Sequence, residues 1–267
     1  MKDGLFLDLP DTEYFANPAI NCSGLKIIAQ KTPLHFKSKQ EEPREETPAL
    51  IIGSAVHCLT LEPDLFSVRY VIAPKIDKRT KAGKEQWADL EATGRIVLSE
   101  DDADKIMRIA DAVRTHKTAS KLITGGFAEV SVFTKIDGTP AKCKCDYLRE
   151  NVAIIDLKTT EDASKAGFMR SVIKYGYHQQ AAWYLDCLEA YGKPVDAFVF
   201  IAVEKTAPFA VGIYELDADT VQLGRELNER ALRVYQDCLQ TNVWQGYSEQ
   251  IELLNAPAWA YKENIEA

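Results

Sequence analysis

No stretch of this sequence is apolar for long enough to cross a membrane. The longest uninterrupted run, Ala197-Phe198-Val199-Phe200-Ile201-Ala202-Val203, falls far short of the roughly 18 residues a span requires. The first residues, Met1-Lys2-Asp3-Gly4-Leu5, lack the apolar core of a signal peptide. No Cys-x-x-Cys pair occurs among the six cysteines at 22, 58, 143, 145, 187 and 238, which argues against a zinc ribbon or an iron–sulfur cluster. Buried thiols in a reducing compartment are expected instead. Basic residues are outnumbered, 32 against 40 acidic, for a net charge of −8. That excess argues against a protein that coats nucleic acid non-specifically, but not against one that grips a phosphate backbone in a local basic channel. No internal repeat or low-complexity tract is present. With 267 residues, 46% hydrophobic and 27% charged, the chain is globular in composition and long enough to bury a sizeable core. These features predict a soluble, cytoplasmic protein.

Periodicity and punctuation divide the chain into elements. Asn21 or Ser23 caps a helix over 25–28 that Thr32-Pro33 ends. A solvated acidic loop covers 41–46, and a helix over 48–62 stops before Pro63. Residues 74–95 form a basic, mobile segment with Lys75, Lys78, Arg79, Lys81, Lys84 and Arg95. Ser99-Glu100-Asp101-Asp102 is a capping box for a helix to about Ser120. A meander follows: strands over 128–135 and 141–148 joined at Asp137-Gly138, then a more apolar strand over 152–158. Helices over 160–174 and 177–191, a strand pair over 196–204 and 209–216, and a helix over 219–240 complete the chain. This order predicts an α/β or α+β fold, one central mixed sheet flanked by helices.

The chemistry concentrates in Cys145-Asp146-Tyr147 and Ile154-Ile155-Asp156-Leu157-Lys158-Thr159-Thr160. Asp156 and Lys158, two apart on an apolar strand, point the same way. Ionisable groups there are costly unless they pair or hold a metal. A two-residue turn at Asp137-Gly138 places Ile136 opposite Thr139, and hence Glu129 opposite Asp146 on one face. A three-residue loop, Arg149-Glu150-Asn151, with Asn151 in the left-handed conformation, sets Asp146 opposite Ile154 and diagonal to Asp156. Glu129, Asp146, Asp156 and Lys158 then converge. Three carboxylates in one patch repel and need a cation, and oxygen ligands select Mg²⁺ or Mn²⁺ over zinc. A neighbouring lysine orients a water or neutralises a phosphate. Such equipment suits metal-dependent phosphodiester hydrolysis; a structural salt-bridge network accounts for the spacing equally well.

Asp146 followed ten residues later by Asp156-Leu157-Lys158 resembles the PD-(D/E)xK nuclease signature, with Cys145-Asp146 in place of its Pro-Asp. Three further segments, Gly53-Ser54-Ala55-Val56-His57-Cys58-Leu59-Thr60-Leu61-Glu62-Pro63, Arg79-Thr80-Lys81-Ala82-Gly83-Lys84 and Tyr175-Gly176-Tyr177-His178-Gln179-Gln180-Ala181-Ala182-Trp183-Tyr184, resemble the nuclease domain of the RecE (exonuclease VIII) family and its prophage relatives. The resemblance spans about 20–242 and implies a single nuclease domain with a restriction-endonuclease-like α/β core. It implies that Asp146 and Asp156, with the Leu157 carbonyl, Glu129 and His57, ligate two catalytic Mg²⁺ ions, Mn²⁺ being able to substitute. Lys158 would position or activate the water, and Gln180 and Tyr184 match a Gln-x-x-x-Tyr motif, i and i+4 on a helix.

The resemblance further implies 5′-to-3′ digestion of linear duplex DNA, with 5′-mononucleotides and 3′ single-stranded overhangs as products. A RecT-like annealing protein is the implied partner, and a ring-shaped homo-oligomer, tetramer favoured over trimer, the implied assembly. Other readings stand beside these. His57 alone is equally a packed core histidine, and Gln180 and Tyr184 a surface pair. Lys78, Arg79, Lys81 and Lys84 form either a solvated loop or a phosphate-gripping flap. Thr159 and Thr160 either touch phosphate or cap the next helix. An endonuclease or helicase-associated nuclease of the same fold, or a catalytically silent DNA-end-binding module, are the alternative functions.

Overall fold

The computed structural model describes residues 2–42, 47–77 and 79–257; Lys78 and most of the 41–46 loop lie outside them. A six-stranded mixed sheet forms the centre, in the order β1 (Gly4–Phe6), β4 (Phe127–Ile136), β5 (Thr139–Arg149), β6 (Ala153–Thr160), β7 (Ala197–Glu204) and β8 (Val211–Glu215). All neighbours are antiparallel except β6 and β7. That parallel pair is joined by α9 (Lys165–Tyr175) and α10 (Tyr177–Tyr191), since parallel strands require a long crossover. With α2 (Cys22–Gln30), α3 (Pro33–Glu41) and α11 (Ala218–Thr241), these helices cover one face, over Val130, Val132, Ile154, Phe198 and Phe200. On the other face α4 (Pro48–Leu61), α7 (Glu100–Thr115) and the short α8 (Ala119–Leu122) pack on Ile155, Leu157, Ile201 and Val203. The mixed, helix-flanked sheet expected from the sequence is therefore the fold. No helix of the described residues is long and apolar enough to cross a membrane.

Several expected boundaries hold. Asn21 accepts from the Gly24 amide at 2.9 Å and caps α2, and Ser99 accepts from the Asp102 amide at 3.1 Å to cap α7. Others move. Thr32 does more than end α2, because its hydroxyl caps α3. The helix expected to reach Ser120 stops at Thr115, where His116 Nδ1 instead accepts from the Thr118 and Ala119 amides and starts α8. The helix expected from Thr160 begins at Lys165 under a Ser164 cap, because β6 stays paired with β7 as far as Thr160 and Glu204. Much of the 74–95 segment is helical rather than loop: α6 (Lys81–Glu91) is capped by Thr80 and flanked by the parallel pair β2 (Tyr70–Ile72) and β3 (Ile96–Leu98). The close turn into α6 requires Gly83, where a Cβ would lie 2.0 Å from the Asp77 carbonyl oxygen. Elements with no expectation attached are β1, β2, β3, α1 (Asp11–Ala16), α3 and α5 (Pro63–Arg69).

Two irregularities of the sheet shape the functional region. The β4–β5 ladder runs from Phe127 opposite Leu148 to Ile136 opposite Thr139, as expected, but skips Glu129 and Asp146. Glu129 takes a positive φ of 53°, and here both strands turn over. Val130, Cys143 and Cys145 face one core layer, whereas Ala128 and Tyr147 face the other. The second irregularity is a fork. β5 and β6 pair over only three positions, ending at Tyr147 opposite Ile155, and then diverge. The freed edge of β5 is satisfied elsewhere: Ile20 exchanges hydrogen bonds with Pro140 and Lys142, and Trp183 Nε1 donates to the Lys142 carbonyl at 3.0 Å.

Candidate active site

The fork is where Asp146 and Asp156 stand. The hairpin before it has the expected odd loop with Asn151 left-handed (φ 57°), but Arg149 pairs with Ala153. The loop is thus Glu150-Asn151-Val152, and the register differs from expectation by two residues. A two-residue slip preserves which face each side chain takes, and it makes Asp146 the counterpart of Asp156 rather than of Ile154. Asp146 then closes the fork with its side chain, its Oδ2 accepting from the Leu157 amide at 2.8 Å. His57, carried on α4, reaches the same oxygen from the other side, Nδ1 to Oδ2 at 3.4 Å.

Asp156 is fully buried, with 0% of its surface exposed. Gln180 Nε2, from α10, donates to its Oδ2 at 2.6 Å, and the Lys158 ammonium contacts Oδ1. No well-aligned hydrogen bond reaches that Oδ1 among the described residues. Burial, and next the Asp156 charge, push the Asp146 carboxyl up to about 6, with His57 and Lys158 opposing. For Lys158 burial works against the charge, but the two aspartates outweigh it and its pKa ends raised. Lys158 is therefore a cation at neutral pH, suited to orienting and neutralising rather than to abstracting a proton. Its ammonium also lies 5.0 Å from the Tyr177 ring centre, a cation–π contact.

The remaining expected residues divide. Glu129 is beside the site and adds to the repulsion on Asp146, but its carboxylate is held by Lys144 at 3.2 Å, and Lys144 in turn holds Asp11 of α1 at 2.5 Å. Tyr184 is half-buried against Phe198, and burial raises its pKa well above the usual tyrosine range, so its hydroxyl stays protonated. Gln180 and Tyr184 are thus not a surface pair. Arg79 is engaged by Asp77 at 3.0 Å and Lys81 faces Glu85 at 3.8 Å, both on the surface. Lys84 is exposed and Thr159 half-buried. Thr160 does not cap α9, since Ser164 does. Of the four residues expected on one continuous face, Asp146, Asp156 and Lys158 stand at the fork, Asp146 linked to α4 and Asp156 to α10, while Glu129 pairs with Lys144 beside it. Among the described residues, no three His, Cys, Asp or Glu side chains close round one point as a ready-made metal cage. Lys158 and Lys144 pair with the Asp156 and Glu129 carboxylates in its place, and His57 contacts Asp146. Sequence reasoning passed over Lys144 and Tyr177, although Lys144 lies two residues before Asp146 on the same strand and Tyr177 within a quoted segment.

The donor set nevertheless fits a hard divalent ion. The fully buried Asp156 carboxylate stands by a second carboxylate, Asp146, whose ionisation is suppressed by burial and by the Asp156 charge, and a divalent cation would relieve that repulsion.

Residues 21–257 match the family described as a PDDEXK-like domain of unknown function (DUF3799). The chain belongs to this PDDEXK-like family. No curated protein matches the sequence. Among solved structures, a putative exonuclease from Eubacterium rectale shares the fold at 18% identity and a TM-score of 0.64, covering 92% of this chain and 97% of that one. A phage-related exonuclease from Haemophilus somnus gives 13% identity and a TM-score of 0.35, covering 84% and 96%. An alkaline exonuclease from Laribacter hongkongensis gives 16% and 0.30, covering 67% and 96%.

Proposed function

We propose that this protein is a Mg²⁺-dependent exonuclease of linear duplex DNA. Digestion runs 5′ to 3′, releases 5′-mononucleotides and leaves 3′ single-stranded overhangs for a RecT-like annealing protein. The observation that carries the reading is the grouping of Asp146, Asp156, Lys158 and Gln180 at the strand fork of a PDDEXK-like domain. The name of the Eubacterium rectale protein that shares the fold, a putative exonuclease, agrees with it. Asp146 and Asp156, with Glu129, His57 and the Leu157 carbonyl, are the residues to hold the metal, two ions per site. A divalent ion held there would supply Lewis-acid polarisation of the phosphodiester and a nucleophilic water at neutral pH.

The chain's own groups do the positioning. The Leu157 amide and His57 aim the Asp146 carboxylate, and Gln180 aims that of Asp156. Lys158 offers a fixed positive charge to the phosphate as negative charge grows in the transition state. A ring-shaped homo-oligomer, a tetramer on the RecE resemblance, keeps an acidic protein on its substrate by topology where net charge does not. The deciding experiment gives purified protein and Mg²⁺ a linear duplex labelled at either end, with 5′-phosphate or 5′-hydroxyl, beside a closed circle. Shortening of the linear molecule from its 5′ ends with the circle intact is expected. A cut circle overturns the exonuclease assignment. Binding of ends with no cleavage in Mg²⁺ or Mn²⁺ makes the protein an end-binding module instead.

A further inference from the structure

The turn between α9 and α10 carries two tyrosines on either side of Gly176. This glycine is left-handed (φ 65°), and a Cβ there would lie 2.8 Å from Lys26 Cδ and 2.9 Å from Gln179 Oε1. The tight turn sets the rings of Tyr175 and Tyr177 5.7 Å apart, their planes inclined by 35°. On its inner side Tyr177 meets Phe168 and Phe200 at 6.1 and 6.0 Å. It also carries the Lys158 ammonium. An aromatic row thus leads from the core, past the signature lysine, to Tyr175, which is 50% exposed. Cations line this outer end. Lys174 Nζ lies 5.3 Å from the Tyr175 ring centre, and Lys26 Nζ donates to the Tyr175 carbonyl at 3.1 Å.

A half-exposed aromatic ring one ring away from Lys158, flanked by two ammonium groups, matches one ligand chemistry well: a nucleobase with its phosphates. Bases stack on aromatic rings whatever their identity, and lysines follow the backbone. We infer that Tyr175, backed by Tyr177, is a stacking step for an unpaired base of the strand whose phosphate lies at Lys158, with Lys174 and Lys26 beside that strand's backbone. The inference rests on the nuclease reading and adds to it a subsite for a base outside the duplex stack.

The test uses single-stranded oligonucleotides carrying 2-aminopurine at successive positions from the 5′ end, bound to the full chain in chelator so that nothing is cut. Binding by the unaltered protein with fluorescence quenched at one position is expected. Tyr175→Ala should lose that quenching and weaken binding roughly five- to one-hundred-fold, the range of a lost base–aromatic stack. Tyr175→Phe should keep both. Tyr175→Leu, which keeps apolar bulk without a π face, should behave like the alanine variant, and it stands in for that variant if the latter unfolds early in a thermal melt. Wild-type affinity and quenching in the alanine or leucine variant overturn the stacking step while leaving the nuclease reading intact. If the unaltered protein binds no oligonucleotide and cuts no DNA with Mg²⁺, both fall.

Discussion

Asp146 and Asp156 stand at register-opposed positions of the fork, Asp156 fully buried and paired with Lys158. The energetic consequence is legible in pH. The Asp146 carboxyl titrates near 6 when folded, against an ordinary value of 3.8, so the folded state binds more protons between the two. Its contribution to stability is full below pH about 4 and is lost as pH rises through about 6, by up to roughly 3 kcal/mol. Metal-free protein melted across that range should show the decline, and Asp156→Asn should shrink it by removing the second cause of the shift. The same variant should lose more than about 100-fold in hydrolysis, since the anionic ligand is gone. Lys158→Ala should lower kcat by about 10²–10³-fold. Because Lys158 stays charged when folded, the rate between pH 7 and 9 should show no rise from a titrating amine. Such a rise, absent in the alanine variant, would assign it a base role.

At the level of elements, the site depends on how α10 is seated. Gln180 reaches Asp156 from that helix, and α11 holds it from behind. Asn228 Nδ2 donates to the Gln179 carbonyl at 2.8 Å, and a Cβ at Gly224 would lie 2.2 Å from the His178 carbonyl oxygen. Gly224→Ala must therefore separate the two helices. The expected cost is about 1–3 kcal/mol, seen as a lower Tm, together with a fall in kcat as Gln180 shifts. The N-terminal elements act similarly on Glu129. Lys142 is buried and donates to the Tyr14 and Asn17 carbonyls at 2.7 and 2.6 Å, fastening α1 to β5. Lys144 then links Asp11 to Glu129. Burial lowers the Lys142 pKa to about 8; the two carbonyls are its compensation for leaving water.

For the whole molecule, the fork is a place where folding leaves like charges only partly offset, since the Asp146 carboxyl stays raised despite Lys158. A bound cation should therefore stabilise the native state. At a concentration one hundred times Kd, the gain is about 2.7 kcal/mol, or a Tm increase of roughly 5–10 °C in a domain of this size. Melting scans with Mg²⁺, Mn²⁺ or chelator check this, and the gain should be larger at pH 7.5 than at pH 5.5, where protons compete for Asp146. Equal Tm values with and without metal at both pH values would argue against the proposed ligand set.

The order of elements, the β4–β5 register and the parity that brings Asp156 and Lys158 to one side follow from local rules. Alternation, a two-residue Asp-Gly turn and capping residues act within a few positions, so they are written along the chain. The loop after β5 was legible as odd and as containing a left-handed Asn151, but not to the residue. Asn151 suits two positions of such a loop, and which one it takes depends on β6 pairing with β7 on its far side. The turning-over at Glu129 and the divergence of β5 from β6 have no local sign at all. The strand edge this opens is satisfied by groups distant in sequence, Ile20 and Trp183, so it is compensated only in the tertiary structure. The same holds for His57 and Gln180: their residue types suggest roles, but it is the packing of α4 and α10 on opposite faces that delivers one to each aspartate.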